Sequence, residues 1–134
     1  MKETKLYAIL KPHLGECDRV ENSMTSGMAD VFYNMGDGIT GWVETKLIKS
    51  GLIYFERFQP QWLSKHSKLG ARIWVVAMDS QETIYFYPAD GGILQAPRTL
   101  IGKWTTIKVE DISTPFKMLK PYKSWGYVRE LLTS

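Results

Sequence analysis

The sequence predicts an α/β fold: a mixed β-sheet with helices packed on it. Three observations predict it. Arg72 to Met78 holds a continuous apolar run (Ile73, Trp74, Val75, Val76, Ala77), the pattern of a central strand buried on both faces. Ahead of it, Phe58, Trp62, Leu63 and Leu69 recur at near-helical spacing. The elements follow one another as helix, strand, hairpin, helix, strand, an order that calls for a sheet flanked by helices.

Each element has its own local signal. Glu3 to His13 reads as a short helix with Leu6, Ile9 and Leu10 on one face, ended by Pro12 and Gly15. Glu16 to Asn22 has a weak strand pattern, and Thr25-Ser26-Gly27 is a turn. Ala29 to Asn34 and Ile39 to Lys46 are strands joined through Gly36-Asp37-Gly38, a hairpin turn in which Asp37 serves turn chemistry. Leu47 to Glu56 is a loop or a strand extension. The helix from Phe58 to Leu69 meets Gly70, a residue suited to its C-terminal cap. Thr83 to Tyr87 is a further strand. Beyond residue 88 the expectations are a strand over Trp104 to Val109 and a short helix at the end of Pro121 to Leu132.

At 134 residues the chain has the length of one domain, 1–134, with a core over about 3–87 and a C-terminal extension over 88–134. No repeat, low-complexity tract or linker divides it. No apolar run approaches the ~20 residues that cross a bilayer, and Met1 to Lys5 carries no signal-peptide pattern. Cys17 is the lone cysteine, so no internal disulfide forms, and no Cys/His cluster has zinc spacing. The expectation is a cytoplasmic protein with no membrane partner. Net charge is +3, which permits a polyanionic partner without demanding one. Its distribution says more. Lys46, Lys49, Arg57, Lys65, Lys68 and Arg72 face one acid, Glu56, in their stretch, and six more basic residues between Lys103 and Arg129 face Glu110 and Asp111. Such segments are either phosphate-contacting surfaces or plain solvated faces.

The chemistry concentrates in Gly27-Met28-Ala29-Asp30 and Trp42-Val43-Glu44-Thr45-Lys46. The hairpin puts Asp30 at the start of one strand and Glu44 near the end of its partner, so two carboxylates meet at one end of the sheet. Two acidic oxygens with water and a backbone carbonyl, that of Thr45, suit Mg²⁺, a hard ion that takes oxygen ligands. Lys46 lies two residues beyond Glu44 and leaves the strand on the same face. A lysine there can orient or deprotonate an attacking water, or stabilise charge on a phosphate. A strand bearing Glu-x-Lys is also a common surface ion pair worth little. The apolar Trp42 and Val43 before it, and the Asp after a glycine turn, make this one a less casual arrangement.

Ala29-Asp30 followed by Glu44-Thr45-Lys46 resembles the PD-(D/E)xK nuclease superfamily. Within it the chain is most similar to the stand-alone phage-type virus replication-repair nuclease (VRR-Nuc) domains, relatives of Holliday-junction resolvases. The resemblance covers about residues 3–87 and rests on an ordered series: Gly27-x-x-Asp30, the Glu-x-Lys strand, a helix opening Gln59-Pro60-Gln61-Trp62 and closing at Leu69-Gly70, then the apolar strand to Ala77. It departs in having Ala29 where a proline precedes the Asp. It implies a restriction-endonuclease-like mixed sheet of about four to six strands flanked by helices. It implies an Mg²⁺- or Mn²⁺-dependent endonuclease that hydrolyses DNA phosphodiester bonds, structure-selective for branched or four-way junctions. Asp30, Glu44, Lys46 and Gln59 would be catalytic, with Gln61 the alternative to Gln59. Asp30, Glu44 and the Thr45 carbonyl would bind the metal, joined by Glu3 or Glu21, with Glu16 a weaker choice. Lys49, Arg57, Lys65 and Lys68 would grip DNA, and a homodimer in a bacterial or phage-infected cell would present two active sites.

Other residues have plainer readings. Trp62 and Trp74 fall on apolar faces and read as core. Tyr54, Phe55 and Phe58 read as a loop cluster that packs, dimerises or touches DNA. His66 reads as solvent face, His13 sits in no catalytic motif, and Cys17 reads as a packing residue. The runner-up function is a catalytically inactive DNA-binding module with a nuclease-like fold. A third is a partner-binding protein that uses the aromatic loop and the 88–134 segment.

Overall fold

A computed structural model describes residues 3–20, 27–89, 92–113 and 115–134. Helix α1 spans Glu3–Leu10 and runs into a 3-10 turn at Lys11–His13. Pro12 has no N–H to continue the α-helical ladder, so the expected helix to His13 ends as a tighter turn. Strands β1 (Glu16–Arg19), β2 (Val31–Asn34), β3 (Thr40–Lys49) and β4 (Leu52–Glu56) follow, then α2 (Gln59–Lys68), β5 (Ile73–Met78) and β6 (Ile84–Pro88). The last third adds α3 (Gly92–Gln95), β7 (Arg98–Ile101), β8 (Trp104–Lys108), β9 (Phe116–Met118) and α4 (Trp125–Thr133).

The fold is α/β, as expected, but the sheet is larger than four to six strands. Nine strands join among the described residues, in the order β7-β8-β4-β3-β5-β6-β9, with β1 and β2 attached through β3. Two sources supply the excess. Leu47 to Glu56 is not a loop: β3 runs on to Lys49, turns at Ser50-Gly51 with both φ angles positive, and returns as β4. Tyr54 and Phe55 are therefore strand residues. The segment after residue 88 then supplies β7, β8 and β9. Most pairings are antiparallel; β3 and β5 run parallel, Trp42 to Leu47 against Ile73 to Met78.

β5 carries the core. All six of its residues are buried, Trp74, Val76 and Met78 toward one cluster and Ile73, Val75 and Ala77 toward the other. The first cluster takes Leu6 and Leu10 of α1 and Val128 and Leu132 of α4; the second takes Trp62 and Leu63 of α2 and Ile93 of α3. Two helices thus cover each face. The apolar face expected of α2 is shorter than its spacing implied. Phe58 and Leu69 flank the helix and are exposed, and its buried residues end at Leu63. His66 is not on a free solvent face: its ring leans on Trp62 at 4.3 Å. His13 stacks on Trp125 at 3.7 Å, and burial lowers its pKa. Among the described residues no helix is long and apolar enough to cross a membrane.

Candidate active site

β3 is the hub of the sheet, and its edges are used unequally. One edge pairs with β5 from Trp42 to Leu47. The other pairs with β2 from Thr40 to Val43 and with β4 only at Ile48 and Lys49. Between those pairings the sheet forks. Residues 44–47 have no strand neighbour on that edge among the described residues, and Glu44, Thr45 and Lys46 lie there.

Backbone donors at a fork need partners. Asp30, the residue just before β2, supplies one. Its Oδ1 accepts the Thr45 N–H at 3.0 Å and its Oδ2 accepts the Thr45 hydroxyl at 2.6 Å. The Asp30 carboxylate thus takes the place of the missing β2 carbonyl. Extending the Val31–Val43 register by one residue sets Asp30 opposite Glu44, the placement that the hairpin reading required.

Glu44 and Lys46 leave β3 on one face, and both are buried, as is Gln59 at the start of α2. Gln59 Nε2 donates to Glu44 Oε2 at 2.9 Å. Lys46 Nζ donates to Gln59 Oε1 at 2.7 Å, as does the Glu56 backbone N–H at 2.8 Å. Lys46 Nζ is also 3.4 Å from Glu44 Oε2. The amide of Gln59 is held by three partners, which fixes its orientation. Gln61 is exposed, so its helix register turns it away.

Burial pushes the Glu44 carboxyl up to about 8. Lys46 and the Gln59 hydrogen bond oppose the rise, while Asp30 and Glu3 add to it. Burial also raises the Glu3 carboxyl, and the charges it feels are those of Lys46, Asp30, Arg19 and Lys49. Helix α1 packs against β3, which brings its first turn within electrostatic reach of the fork. Glu21 lies outside the described residues. Glu16 pairs with Asn34, at the end of β2 away from Asp30. Lys49, Arg57, Lys65 and Lys68 are all exposed.

Two contributions escaped the sequence reading. Arg19 lies opposite Val31, and its guanidinium reaches to 4.0 Å from Asp30 Oδ2. The strand pattern of Glu16 to Asn22 was too weak to register it. The Thr45 side chain anchors Asp30, whereas only its carbonyl had been singled out.

Whether a divalent cation suits these groups is a question of donor chemistry. Glu44 Oε1 is buried and has no hydrogen-bond partner among the described residues. Asp30 and Glu3 each raise the cost of charging Glu44, and Asp30 does the same to Glu3. A hard cation answers both, because oxygen donors are what it takes. Among the described residues no three Asp, Glu, His or Cys side chains gather closely enough to hold an ion by themselves. The fit is thus to a pair of carboxylates completed by backbone oxygen and water.

No protein-family model matches the chain, and no curated protein sequence does. Among solved structures it is similar to Hjc of Archaeoglobus fulgidus, a Holliday junction resolvase from an archaeal hyperthermophile. Identity is 18%, the TM-score is 0.58, and the match covers 86% of this chain and 92% of that one. The fold is that of a resolvase.

Proposed function

We propose that the chain is a PD-(D/E)xK endonuclease of the VRR-Nuc type, hydrolysing phosphodiester bonds in branched or four-way DNA as a homodimer. The observation that carries the reading is the buried Glu44–Gln59–Lys46 network beside Asp30, with Glu44 Oε1 left without a hydrogen bond among the described residues. A buried carboxylate with a vacant oxygen is costly in a structural role, and its retention at a sheet fork points to chemistry. The resolvase-like fold supports the junction preference, and a symmetric dimer would bring two sites to two strands.

Asp30, Glu44 and the Thr45 carbonyl would hold Mg²⁺ or Mn²⁺, with Glu3 or Glu21 completing the set. The ion, when bound, supplies charge to the scissile phosphate and acidifies water. Thr45 holds the Asp30 carboxylate in place. Lys46, fixed by Gln59, orients the attacking water and stabilises the charge that develops on phosphorus-bound oxygen. Water oxygen gives up a proton to solvent and bonds to phosphorus as the phosphorus–sugar oxygen bond breaks, and the leaving oxygen takes a proton from solvent. Gln59 sets the separation of Lys46 and Glu44. Lys49, Arg57, Lys65 and Lys68 bind the flanking phosphates.

The test is incubation with linear, flapped and four-way DNA, with and without Mg²⁺ or Mn²⁺. Cleavage that Glu44→Ala and Lys46→Ala each abolish, with the fold intact by circular dichroism, is expected. Full activity in both variants ends the proposal. Salt-sensitive DNA binding without cleavage in any metal would instead mark a binding module.

A further inference from the structure

The two faces of the sheet are not equally covered. Helices α1 and α4 cover one face where β1, β2, β5, β6 and β9 lie. Past the fork, where β4, β8 and β7 continue the sheet, no residue of those strands joins that cluster among the described residues. The opposite side of these strands is buried through Ile53, Phe55 and Ile107. The alternation of strand side chains sets Lys49, Leu52, Tyr54, Glu56, Trp104 and Lys108 on this side, each exposed or half-buried, with the buried Thr106 beside Tyr54.

Its chemistry is aromatic and basic. Tyr54 and Trp104 meet edge to face, with centroids 6.5 Å apart and planes at 86°, so each ring keeps at least one face clear of the other. Lys103 Nζ lies 5.4 Å from the Trp104 ring centre. Lys49 and Lys108 flank the patch, and Glu56 is the one acid of β4 and β8. Lys49 lies on β3 three residues past Lys46 and pairs with Leu52 of β4, so the patch adjoins the fork along that strand. Ring faces stack on unstacked bases, and lysines beside them meet the phosphates between bases. In a duplex the bases are stacked already, and their faces are closed to such a surface.

We infer that this face seats an unpaired DNA strand leading into or out of the fork. The inference rests on DNA as the site's polymer, not on its cleavage. It is tested by the fluorescence anisotropy of labelled oligothymidine with the full chain in EDTA, where hydrolysis plays no part. Trp104→Ala and Tyr54→Ala should each weaken binding about tenfold, and Trp104→Phe should keep most of it. Lys103→Ala should lower the salt slope by about 0.7. Blunt duplex should bind Trp104→Ala as it binds the parent.

The assignment fails if both alanine variants hold oligothymidine as tightly as the parent, or if duplex is bound and oligothymidine is not. Tighter binding of oligouridine would overturn the choice of DNA. If Trp104→Ala converts a dimer to a monomer, the face belongs to a second copy. Oligothymidine bound through Trp104 by a chain that never cleaves would sustain this inference and end the nuclease reading. Cleavage with unaltered Trp104→Ala binding would do the reverse.

Discussion

The α-carbon of Gly27 lies against the backbone of Phe58, where the chain enters α2. A Cβ on residue 27 would sit 2.3 Å from the Phe58 carbonyl oxygen and 2.8 Å from the Gln59 nitrogen, and Gly27 has φ of +81°. The glycine three residues before Asp30 therefore lets the approach to Asp30 touch the start of the helix that presents Gln59. Gly27→Ala should destabilise the fold by about 1–3 kcal/mol through the strained backbone alone. It should also shift Gln59 and cut cleavage at least tenfold. Thermal melts and cleavage rates check the pair of effects; a normal rate would show that Gln59 tolerates displacement.

Gln59→Ala strips a partner from three groups at once: Lys46 Nζ, Glu44 Oε2 and the Glu56 N–H. Leaving buried polar groups unmade is expensive, and about 2–4 kcal/mol of stability should be lost. Urea unfolding measures it. A loss no larger than that of Gln61→Ala, at an exposed position of the same helix, would contradict the network.

Glu44 sets a pH dependence. Its carboxyl is raised from 4.5 to about 8 in the folded chain. Between those values the folded chain holds a proton that the unfolded chain has released. The metal-free protein should therefore lose stability as pH rises through this window and level off above it. Glu44→Gln should remove that slope and melt higher than the parent at pH 8. Metal binding must expel the same proton, so affinity should climb with pH to about 8. Calorimetry in buffers of different ionisation enthalpy reads the proton directly.

Thr45→Val keeps the shape of the side chain and removes the hydroxyl that holds Asp30 Oδ2. The expected cost is about 1 kcal/mol, with cleavage reduced because one carboxylate is held by the backbone N–H alone. An unchanged metal affinity would show that the N–H suffices.

Tyr33→Phe tests the far side of the molecule. The Tyr33 hydroxyl donates to the Leu132 carbonyl at 2.7 Å, tying β2 to α4. Stability should fall by about 1 kcal/mol with cleavage intact. Chemical denaturation and the cleavage assay separate the two.

Much of this was legible in residue order. Val31 to Asn34 and Thr40 to Lys46 announce a hairpin by their turn glycines, and the Ile73 to Met78 run announces a strand buried on both sides. Those signals are local, so they survive without knowledge of neighbours. Arg98 to Ile101 shows the opposite case. All four of its residues are exposed, no apolar alternation marks it, and it is a strand only because β8 offers a ladder.

Glu44 and Lys46 share a face by strand periodicity alone, a relation no tertiary contact is needed to create. The hairpin turn likewise sets Asp30 across from Glu44. What only the tertiary structure decided is the fork itself. β2 begins only at Val31 and β4 joins at Ile48, which frees the Thr45 N–H for Asp30 and opens the gap that α2 fills with Gln59. Gln59 meets Glu44 and Lys46 across 13 to 15 residues because helix packing, not chain periodicity, sets that approach. The burial that lifts Glu44 toward 8 has the same origin, since desolvation depends on every element that closes over a residue and not on its own segment.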